Sequence, residues 1–274
     1  MATLTSPPTI GRAVSAYNAG QLAEAERLCR QLLATERDLF DALHLLAVVE
    51  SRLGRGEDAL ASYARALALR PGDANALYNR GNTLQGMKRI EEALASYDHA
   101  LAVQPDHANA LYNRGNALHE LKRFEEALAS YDRALAVRPD HANAFHNRGN
   151  TLHELKRFEE AVASYDRALA VQRDHPEVLS NRGVTLHVLG RFEEALASFD
   201  RSLAARPNSA ETLVSRGKTL RALKRPEEAL ASFDHALMLK DDIVEALFDR
   251  ADTLYEMKVR SCAHELRSCA GAAA

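Results

Sequence analysis

The sequence predicts an all-α fold, a solenoid of about eight helix-turn-helix repeats, and three observations support this. The stretch from Ala108 to His141 returns almost letter for letter 34 residues earlier and 34 residues later. The same 34-residue frame runs from Ser6 to the end of the chain without insertion or deletion. Each repeat holds two runs of small and apolar residues with the i, i+4, i+7 spacing of a helix. A period of this length indicates repeats that bury their apolar faces against their neighbours.

The frame divides the chain into eight repeats, numbered 1 to 8 in chain order. Their predicted bounds are 6–39, 40–73, 74–107, 108–141, 142–175, 176–209, 210–243 and 244–274, the last of which is shorter and degenerate. Residues 1–5 form an expected flexible N-terminus. Because a repeat array has no central core, we expect the 274 residues to form one array rather than two globular domains.

Repeat 4 shows the order of elements expected within each repeat. Its two helical triplets are Leu111, Gly115 and Leu118, followed by Ala127, Tyr131 and Ala134. A tight corner is expected over residues 120–124, and the second helix is expected to end before Pro139. Asp140 is the predicted N-cap of the next helix. Gly115 is costly inside a helix, so we expect its missing side chain to let the aromatic ring of the second helix approach closely.

These positions resemble the tetratricopeptide repeat over nearly the whole chain. The family pattern has a large residue, Gly and Leu in the first helix, then Ala, an aromatic residue, Ala and Pro. Repeat 3 fills it with Leu77, Gly81, Leu84, Ala93, Tyr97, Ala100 and Pro105. Departures are Arg173 and Asp241 in place of Pro, Ser202 in place of the last Ala, and Thr9, Ala13 and Cys29 in repeat 1. The resemblance implies a right-handed superhelix with a groove lined by the first helices.

Repeat 8 departs from the pattern after its first helix, which is expected over residues 244–257. The segment KVRSCAHEL stands where the corner and second helix should begin, and Arg260 occupies the aromatic position. We therefore expect a poorly packed last helix or an irregular cap.

Composition excludes several classes of partner. A formal net charge of −3 gives no basic surface for binding nucleic acid or an anionic membrane.

The N-terminus lacks the positive charge and apolar run of a signal peptide, so the expected location is the cytoplasm. Cys262 and Cys269 are seven residues apart, about 10 Å along a helix, too far for a disulfide between them. They are also a poor zinc site.

No pattern in the sequence predicts catalysis, a cofactor or a metal site. His119-Glu120 and His153-Glu154 lack the second histidine of a zinc-protease helix, since Arg123 and Arg157 stand at that place. Gly217-Lys218-Thr219 lacks the first glycine of a phosphate-binding loop and falls in a predicted helix. We therefore expect a non-catalytic chain.

The candidate site is a polar stripe on the first helices, made of residues that packing does not require. Asparagine recurs at the sixth place (Asn79, Asn113, Asn147, Asn181), the ninth place (Asn82, Asn116, Asn150) and the second place (Asn75, Asn109, Asn143), beside Tyr78 and Tyr112. An amide carries a donor and an acceptor, so such a ladder could bond the N–H and C=O groups of an extended peptide. In the alternative interpretation, the amides only keep the groove hydrated, and they recur because the whole repeat was duplicated.

The sixth-place asparagines resemble the ladder in the repeat region of protein O-GlcNAc transferases. Ser215 and Asp249 end the run here, and Leu45 precedes it. The carboxylate clamp of other family members, which binds the C-terminal tails of chaperones, lacks its lysines. Two functions stay open: a scaffold for an extended peptide or partner protein, and the substrate-recognition arm of such a transferase without its catalytic domain.

Arginine and aspartate also form columns, one residue of each per repeat. By helical phase both face the junction between repeats, which predicts the pairs Asp98 with Arg114, Asp132 with Arg148, Asp166 with Arg182, Asp200 with Arg216 and Asp234 with Arg250. We expect these pairs to fix the register of stacked repeats rather than to add much stability.

Overall fold

The computed structural model describes residues 9–272, with side chains described up to residue 259, so the expected flexible residues 1–5 lie outside it. Residues 9–272 contain no β-strand and form fifteen α-helices. These are α1 (Ile10–Asn18), α2 (Leu22–Thr35), α3 (Phe40–Arg52), α4 (Gly56–Leu69), α5 (Ala74–Gly86), α6 (Ile90–Val103), α7 (Ala108–Glu120), α8 (Phe124–Val137), α9 (Ala142–Glu154), α10 (Phe158–Val171), α11 (Pro176–Val188), α12 (Phe192–Ala205), α13 (Ala210–Ala222), α14 (Pro226–Leu239) and α15 (Val244–Ala272). The predicted all-α class of helix-turn-helix repeats is confirmed.

The helices keep the 34-residue frame closely. From α3 onward, each odd-numbered helix begins at the first residue of a predicted repeat. In repeats 2 to 7 the first helix has 13 residues and the second has 14. Regular lengths follow from a frame without insertions.

The chain divides into two compact parts, an N-terminal half (Met1–Pro139) and a C-terminal half (Asp140–Ala274). The expected single array therefore stays a prediction. Within each half, consecutive helices pack on one another, and so do the first helices of neighbouring repeats. The first helices thus share one side of each half, which we call the first-helix face.

In repeats 3 to 7, the core contains a glycine of the first helix under an aromatic ring of the second. A Cβ atom placed on Gly115 would lie 2.5 Å from Cε1 of Tyr131, far inside van der Waals contact. Tyr131 is 1% exposed and its hydroxyl donates to Asn116 Oδ1 over 2.9 Å, which holds the ring in place. The close approach that the sequence predicts at Gly115 is confirmed.

The corner between the helices contains a residue in the left-handed region. Lys122 has φ 59°, and lysines 88, 156 and 224 adopt the same conformation. Glycines 20, 54 and 190 have positive φ at the same position of three other corners. Glycine carries no penalty at such a φ, whereas a residue with a Cβ does.

The predicted cap at Asp140 is wrong. Helix α9 begins at Ala142, and its N-cap is His141, whose Nδ1 accepts the backbone N–H of Ala144 over 3.3 Å. His107 and His175 cap α7 and α11 in the same way. Asp140 lies one residue too early for the capping geometry.

The predicted end of the first helix of repeat 8 at Met257 is also wrong. Helix α15 continues unbroken to Ala272, and no separate second helix follows it among the described residues. The segment after Met257 has neither a left-handed corner residue nor the acidic start of the other second helices. Leu247 and Leu254 are consequently 48% and 43% exposed, although the equivalent leucines of repeat 4 are fully buried. The side chain of Arg260 lies outside the described residues.

The arginine and aspartate columns meet between repeats within each half, as predicted. Nε of Arg114 lies 2.6 Å from Oδ1 of Asp98, and Arg182 lies 2.7 Å from Asp166. The pairs of Arg216 with Asp200 and of Arg250 with Asp234 have distances of 2.6 and 2.5 Å. The predicted pair of Asp132 and Arg148 has one member in each half and stays a prediction.

Arginines of this column have a second hydrogen-bond partner that the sequence pattern did not predict. Nη1 of Arg182 donates to the hydroxyl of Ser198, on the second helix of its own repeat, over 2.7 Å. The same bond joins Arg114 to Ser130 over 2.6 Å. One guanidinium therefore ties its own repeat to the preceding one, and its planar fork of donors suits two acceptors at fixed positions.

Candidate functional site

The sixth- and ninth-place asparagines form hydrogen bonds between consecutive repeats. In the N-terminal half, Nδ2 of Asn113 donates to Oδ1 of Asn82 over 2.7 Å and to the hydroxyl of Tyr78 over 3.3 Å. The buried hydroxyl of Tyr97 lies 2.9 Å from the same Oδ1 of Asn82. The predicted ladder is thus part of a network that joins α5, α6 and α7.

The C-terminal half repeats this arrangement. Nδ2 of Asn181 donates to Oδ1 of Asn150 over 2.9 Å and lies 3.1 Å from Nε2 of His146. The hydroxyl of Tyr165 donates to Oδ1 of Asn150 over 2.8 Å. In both halves, therefore, the sixth-place Nδ2 and the core tyrosine hydroxyl contact the Oδ1 of the preceding ninth-place asparagine.

In three sixth-place amides, those of Asn79, Asn113 and Asn181, one end is bonded within the protein and the other is open. The Nδ2 atoms of Asn113 and Asn181 each contact two acceptors, and Nδ2 of Asn79 contacts Nε2 of His44 over 3.0 Å. Among residues 9–259, nothing donates to the Oδ1 atoms of these three asparagines. All three are half-buried on the first-helix face, so each can offer an acceptor to a ligand.

The structure places the other predicted site residues in several environments. Asn75, Asn109 and Asn143 are exposed, and the structure does not join them to the network. Tyr78 and Tyr112 are half-buried with their rings 6.2 Å from the core tyrosines Tyr97 and Tyr131. Asn116 accepts from the hydroxyl of Tyr131, and Asn147 is half-buried on α9.

A second row of hydrogen bonds runs beside the asparagines and was not predicted. Nδ1 of His153 lies 2.9 Å from the hydroxyl of Thr185 in the next repeat, and His187 contacts Thr219 over the same distance. Thr185 donates its own proton to the backbone carbonyl of Asn181 over 2.8 Å, so Nδ1 of His153 is the donor. Burial lowers the pKa of both histidines, which keeps them neutral with Nε2 as an acceptor.

His146 has a strongly lowered pKa. Burial, followed by the nearby His175, lowers its pKa to about 4. Its Nε2 accepts from Asn181, and this bond requires the neutral ring. His146 therefore supports the position of a ladder amide and does not titrate near neutral pH.

The last junction replaces the amide pair by an ion pair at the same positions. Asp249 takes the sixth place of repeat 8, and its carboxylate lies 3.8 Å from Lys218 at the ninth place of repeat 7. Arg221 donates to Asp249 over 2.9 Å. The contact between the sixth and ninth places thus persists when amides are replaced by charged side chains.

The described residues contain no cluster of three or more metal-ligating side chains. Cys29 is buried, and burial raises the pKa of its thiol to about 11, so it is an unreactive core residue. Cys262 and Cys269 lie in the part of α15 whose side chains are outside the described residues. No helix among the described residues has the length and apolar character needed to cross a bilayer.

Comparison with protein families decides the identity of the fold. The model of the tetratricopeptide repeat matches residues 38–106, 72–140, 106–174, 140–207 and 174–242, and a second model with the same description matches residues 7–31. The chain belongs to the tetratricopeptide repeat family. The fold of this family is a protein-interaction scaffold, and its members are generally non-catalytic.

Solved tetratricopeptide repeat structures resemble this chain. YrrB, described as a TPR protein with an unusual peptide-binding site, is 26% identical with a TM-score of 0.62, over 69% of this chain and 97% of YrrB. The type IV pilus biogenesis factor PilW is 25% identical with a TM-score of 0.66, over 76% and 97%. PilF of Pseudomonas aeruginosa is 22% identical with a TM-score of 0.67, over 78% and 97%. No curated protein matches this chain.

Proposed function

We propose that this chain is a non-catalytic scaffold that holds an extended peptide, or an extended segment of a partner protein, on the first-helix face. The Oδ1 atoms of the sixth-place asparagines accept backbone N–H groups of the ligand. The cytoplasm is the expected compartment, and neither nucleic acid nor a membrane is an expected partner.

One observation carries this proposal: the protein itself orients the amides of Asn79, Asn113 and Asn181. Asn113 is half-buried and its Nδ2 is held by Asn82 and Tyr78, which leaves Oδ1 as the open end. A fixed acceptor loses little rotamer freedom when a ligand binds, so the cost of ordering the side chain is met during folding. The sequence suggested that each amide bonds both an N–H and a C=O group of the peptide. In the structure, however, Nδ2 of Asn113 already donates to acceptors of the protein itself.

The spacing of the repeats suits an extended backbone. Packed helices lie about 10 Å apart, and an extended chain advances about 3.3 Å per residue. Two successive amides of one half, such as Asn79 and Asn113, would therefore meet N–H groups about three residues apart. Backbone bonds of this kind recognise no side chain, so the ladder alone would tolerate many sequences.

The likeness to YrrB supports a peptide ligand, because that protein is described as having a peptide-binding site and is 26% identical to this chain. No feature of the described residues favours the alternative function as the arm of a glycosyltransferase, which stays a prediction.

Selection from a library of random dodecapeptides tests the proposal. We expect the full chain to enrich a set of peptides, and we expect the combined replacement of Asn79, Asn113, Asn147 and Asn181 by Ala to abolish their binding. Each lost bond is worth about 0.5–1.5 kcal/mol, so four losses should weaken affinity by a factor of about 30 or more.

A matched control removes four exposed amides elsewhere, by the replacements Gln31→Ala, Gln104→Ala, Gln172→Ala and Asn208→Ala. This variant should keep full affinity. Because the ladder amides also join repeats, circular dichroism must show that both variants stay helical at the temperature of the assay. Equal binding by the ladder variant and the control would contradict the proposal.

A further inference from the structure

The polar first-helix face becomes apolar at the N-terminal end of the chain. At the places where repeat 3 has Asn79 and Asn82, repeat 2 has Leu45 and Val48. Repeat 1 continues the change with Ile10, Val14 and Tyr17 on α1, so five apolar side chains follow the amides along the face.

These side chains line a pocket between α1 and α3. Its volume is about 410 Å³, and its walls are Ile10, Val14, Tyr17, Leu45 and Val48, with Asp41, His44 and Asn79 completing the lining. A cavity of about 150 Å³ holds a benzene ring, so this pocket has room for one large apolar side chain and part of a second group. Val14 is 41% exposed, which leaves an apolar wall open to solvent.

The polar members of the lining define the rim. Nδ2 of Asn79 contacts Nε2 of His44 over 3.0 Å, and burial lowers the pKa of His44, so the ring is neutral. Asp41 is the only charged residue of the lining. Its carboxylate lies 3.7 Å from Arg70, and both side chains are more than half exposed, so this pair is weak and a second cation can approach.

We propose that this pocket binds a large aliphatic or aromatic side chain of an extended peptide, with a lysine or arginine next to it that meets Asp41. The site rests on the proposed function, because Asn79 belongs both to the ladder and to the pocket. The amides bind any backbone, whereas the pocket selects the sequence that enters at this end. Apolar burial supplies affinity, and Asp41 supplies the preference for positive charge.

A pair of small probes tests the pocket without a peptide. The 3-methylbutylammonium and 3-methylbutanoate ions share one branched apolar chain and differ in the sign of their charge. Titrated against the full chain, with the methyl resonances of Val14, Leu45 and Val48 followed by NMR, the ammonium ion should bind about five- to tenfold more tightly. Equal affinities, or shifts that do not involve these methyl groups, would overturn the proposal.

Two variants separate a pocket from general apolar adhesion. The double replacement Leu45→Asn, Val48→Asn installs the side chains that repeat 3 carries at these places and should weaken the ammonium probe about tenfold. Val48→Phe keeps the surface apolar but fills the space, and it should weaken binding as well. The control Val103→Asn, an exposed valine on α6, should change nothing. Tighter binding to Val48→Phe would overturn the proposal.

Random-peptide selection then separates failure of the pocket from failure of the scaffold function. Wild-type protein should enrich Leu, Ile, Met or Phe beside Lys or Arg, and the Leu45→Asn, Val48→Asn variant should lose that motif. If the ammonium ion binds the pocket but no peptide is enriched, the proposed function fails and the pocket stands. If peptides are enriched without this motif, the pocket proposal fails alone. Tighter probe binding after deletion of residues 1–8 would assign the pocket to the chain's own N-terminus and overturn the proposal.

Discussion

Replacing Gly115 by alanine tests how tightly the two helices of a repeat are packed. The new Cβ would lie 2.5 Å from Cε1 and 2.7 Å from Cδ1 of Tyr131, where carbon atoms normally stay about 3.5–4.0 Å apart. The ring or the helix must move by about 1 Å. Tyr131 is buried and its hydroxyl is held by Asn116, so little freedom remains for that movement.

The expected cost follows from two opposing terms. Overpacking of a well-packed core costs about 1–3 kcal/mol, and replacement of glycine inside a helix returns about 1 kcal/mol. Because the added Cβ would lie only 2.5 Å from the ring, the overpacking cost should be in the upper half of its range, about 2–3 kcal/mol, which leaves a net loss of about 1–2 kcal/mol. Repeat 2 accommodates Ala47 with the buried Tyr63, so helices can shift to accept this pair and a larger cost is not expected.

Hydrogen exchange of α7 and α8 measures this cost locally, which suits a repeat protein whose unfolding need not be two-state. Gly115→Ala should exchange about 5- to 30-fold faster in these helices. The control Gly86→Ala lies at the end of α5 with no atom within 4 Å of the added Cβ, and it should be neutral or slightly protective. In a Tyr131→Leu background the penalty should vanish. Unchanged or slower exchange in Gly115→Ala would refute the close packing.

Three further predictions concern other parts of the chain. Lys122→Gly should stabilise the protein by about 0.5–1 kcal/mol, because residue 122 has φ 59° and glycine adopts this conformation without penalty. Lys122→Ala should give no such gain. Equal thermal unfolding midpoints for these two variants would contradict this prediction. His146 has a folded pKa of about 4, below its ordinary value of 6.5. Its contribution to the free energy of unfolding is therefore fully present above pH 6.5 and is lost as the pH falls towards 4. The C-terminal half should lose about 2 kcal/mol between pH 7 and 4.5, and His146→Tyr, which copies Tyr112, should lose less; identical urea midpoints for the two proteins at pH 4.5 would refute this. The part of α15 after Met257 should exchange its amide hydrogens much faster than α8, because no second helix follows it among residues 9–272, and comparable rates would show that it is packed.

The sequence predicted the helices well because the 34-residue frame contains no insertion. Helical phase was enough to place Arg114 beside Asp98 and Gly115 beneath Tyr131, since both relations depend only on positions within the repeat. The repetition itself carried this information, because an error in one repeat would be corrected by the next.

The misses have local causes. The cap at His141 was overlooked because Asp is the commoner capping residue, and the helix starts one residue later than that cap requires. The continuation of α15 was missed because a broken pattern predicts the loss of the second helix and does not say what replaces it. The serine partners of the arginines have no sequence signal of their own, because a serine hydroxyl carries no charge that pairs with a guanidinium in a sequence pattern.

The internal bonds of the ladder also escaped prediction, although a signal exists in the sequence. Asn113 and Asn82 are 31 residues apart, as are Asn181 and Asn150, which places them in neighbouring repeats. Asp249 and Lys218 have the same separation and form an ion pair. Two columns that change together from amides to opposite charges indicate direct contact.

The central claim is that the sixth-place amides accept backbone N–H groups of a ligand. A scan in which each backbone nitrogen of a selected peptide is methylated in turn tests it most directly, because N-methylation removes one donor and keeps every side chain. We predict that affinity falls about 3- to 10-fold at positions about three residues apart and changes little between them. Uniform effects along the peptide, or the same periodic losses in the variant that lacks the four asparagines, would contradict the claim.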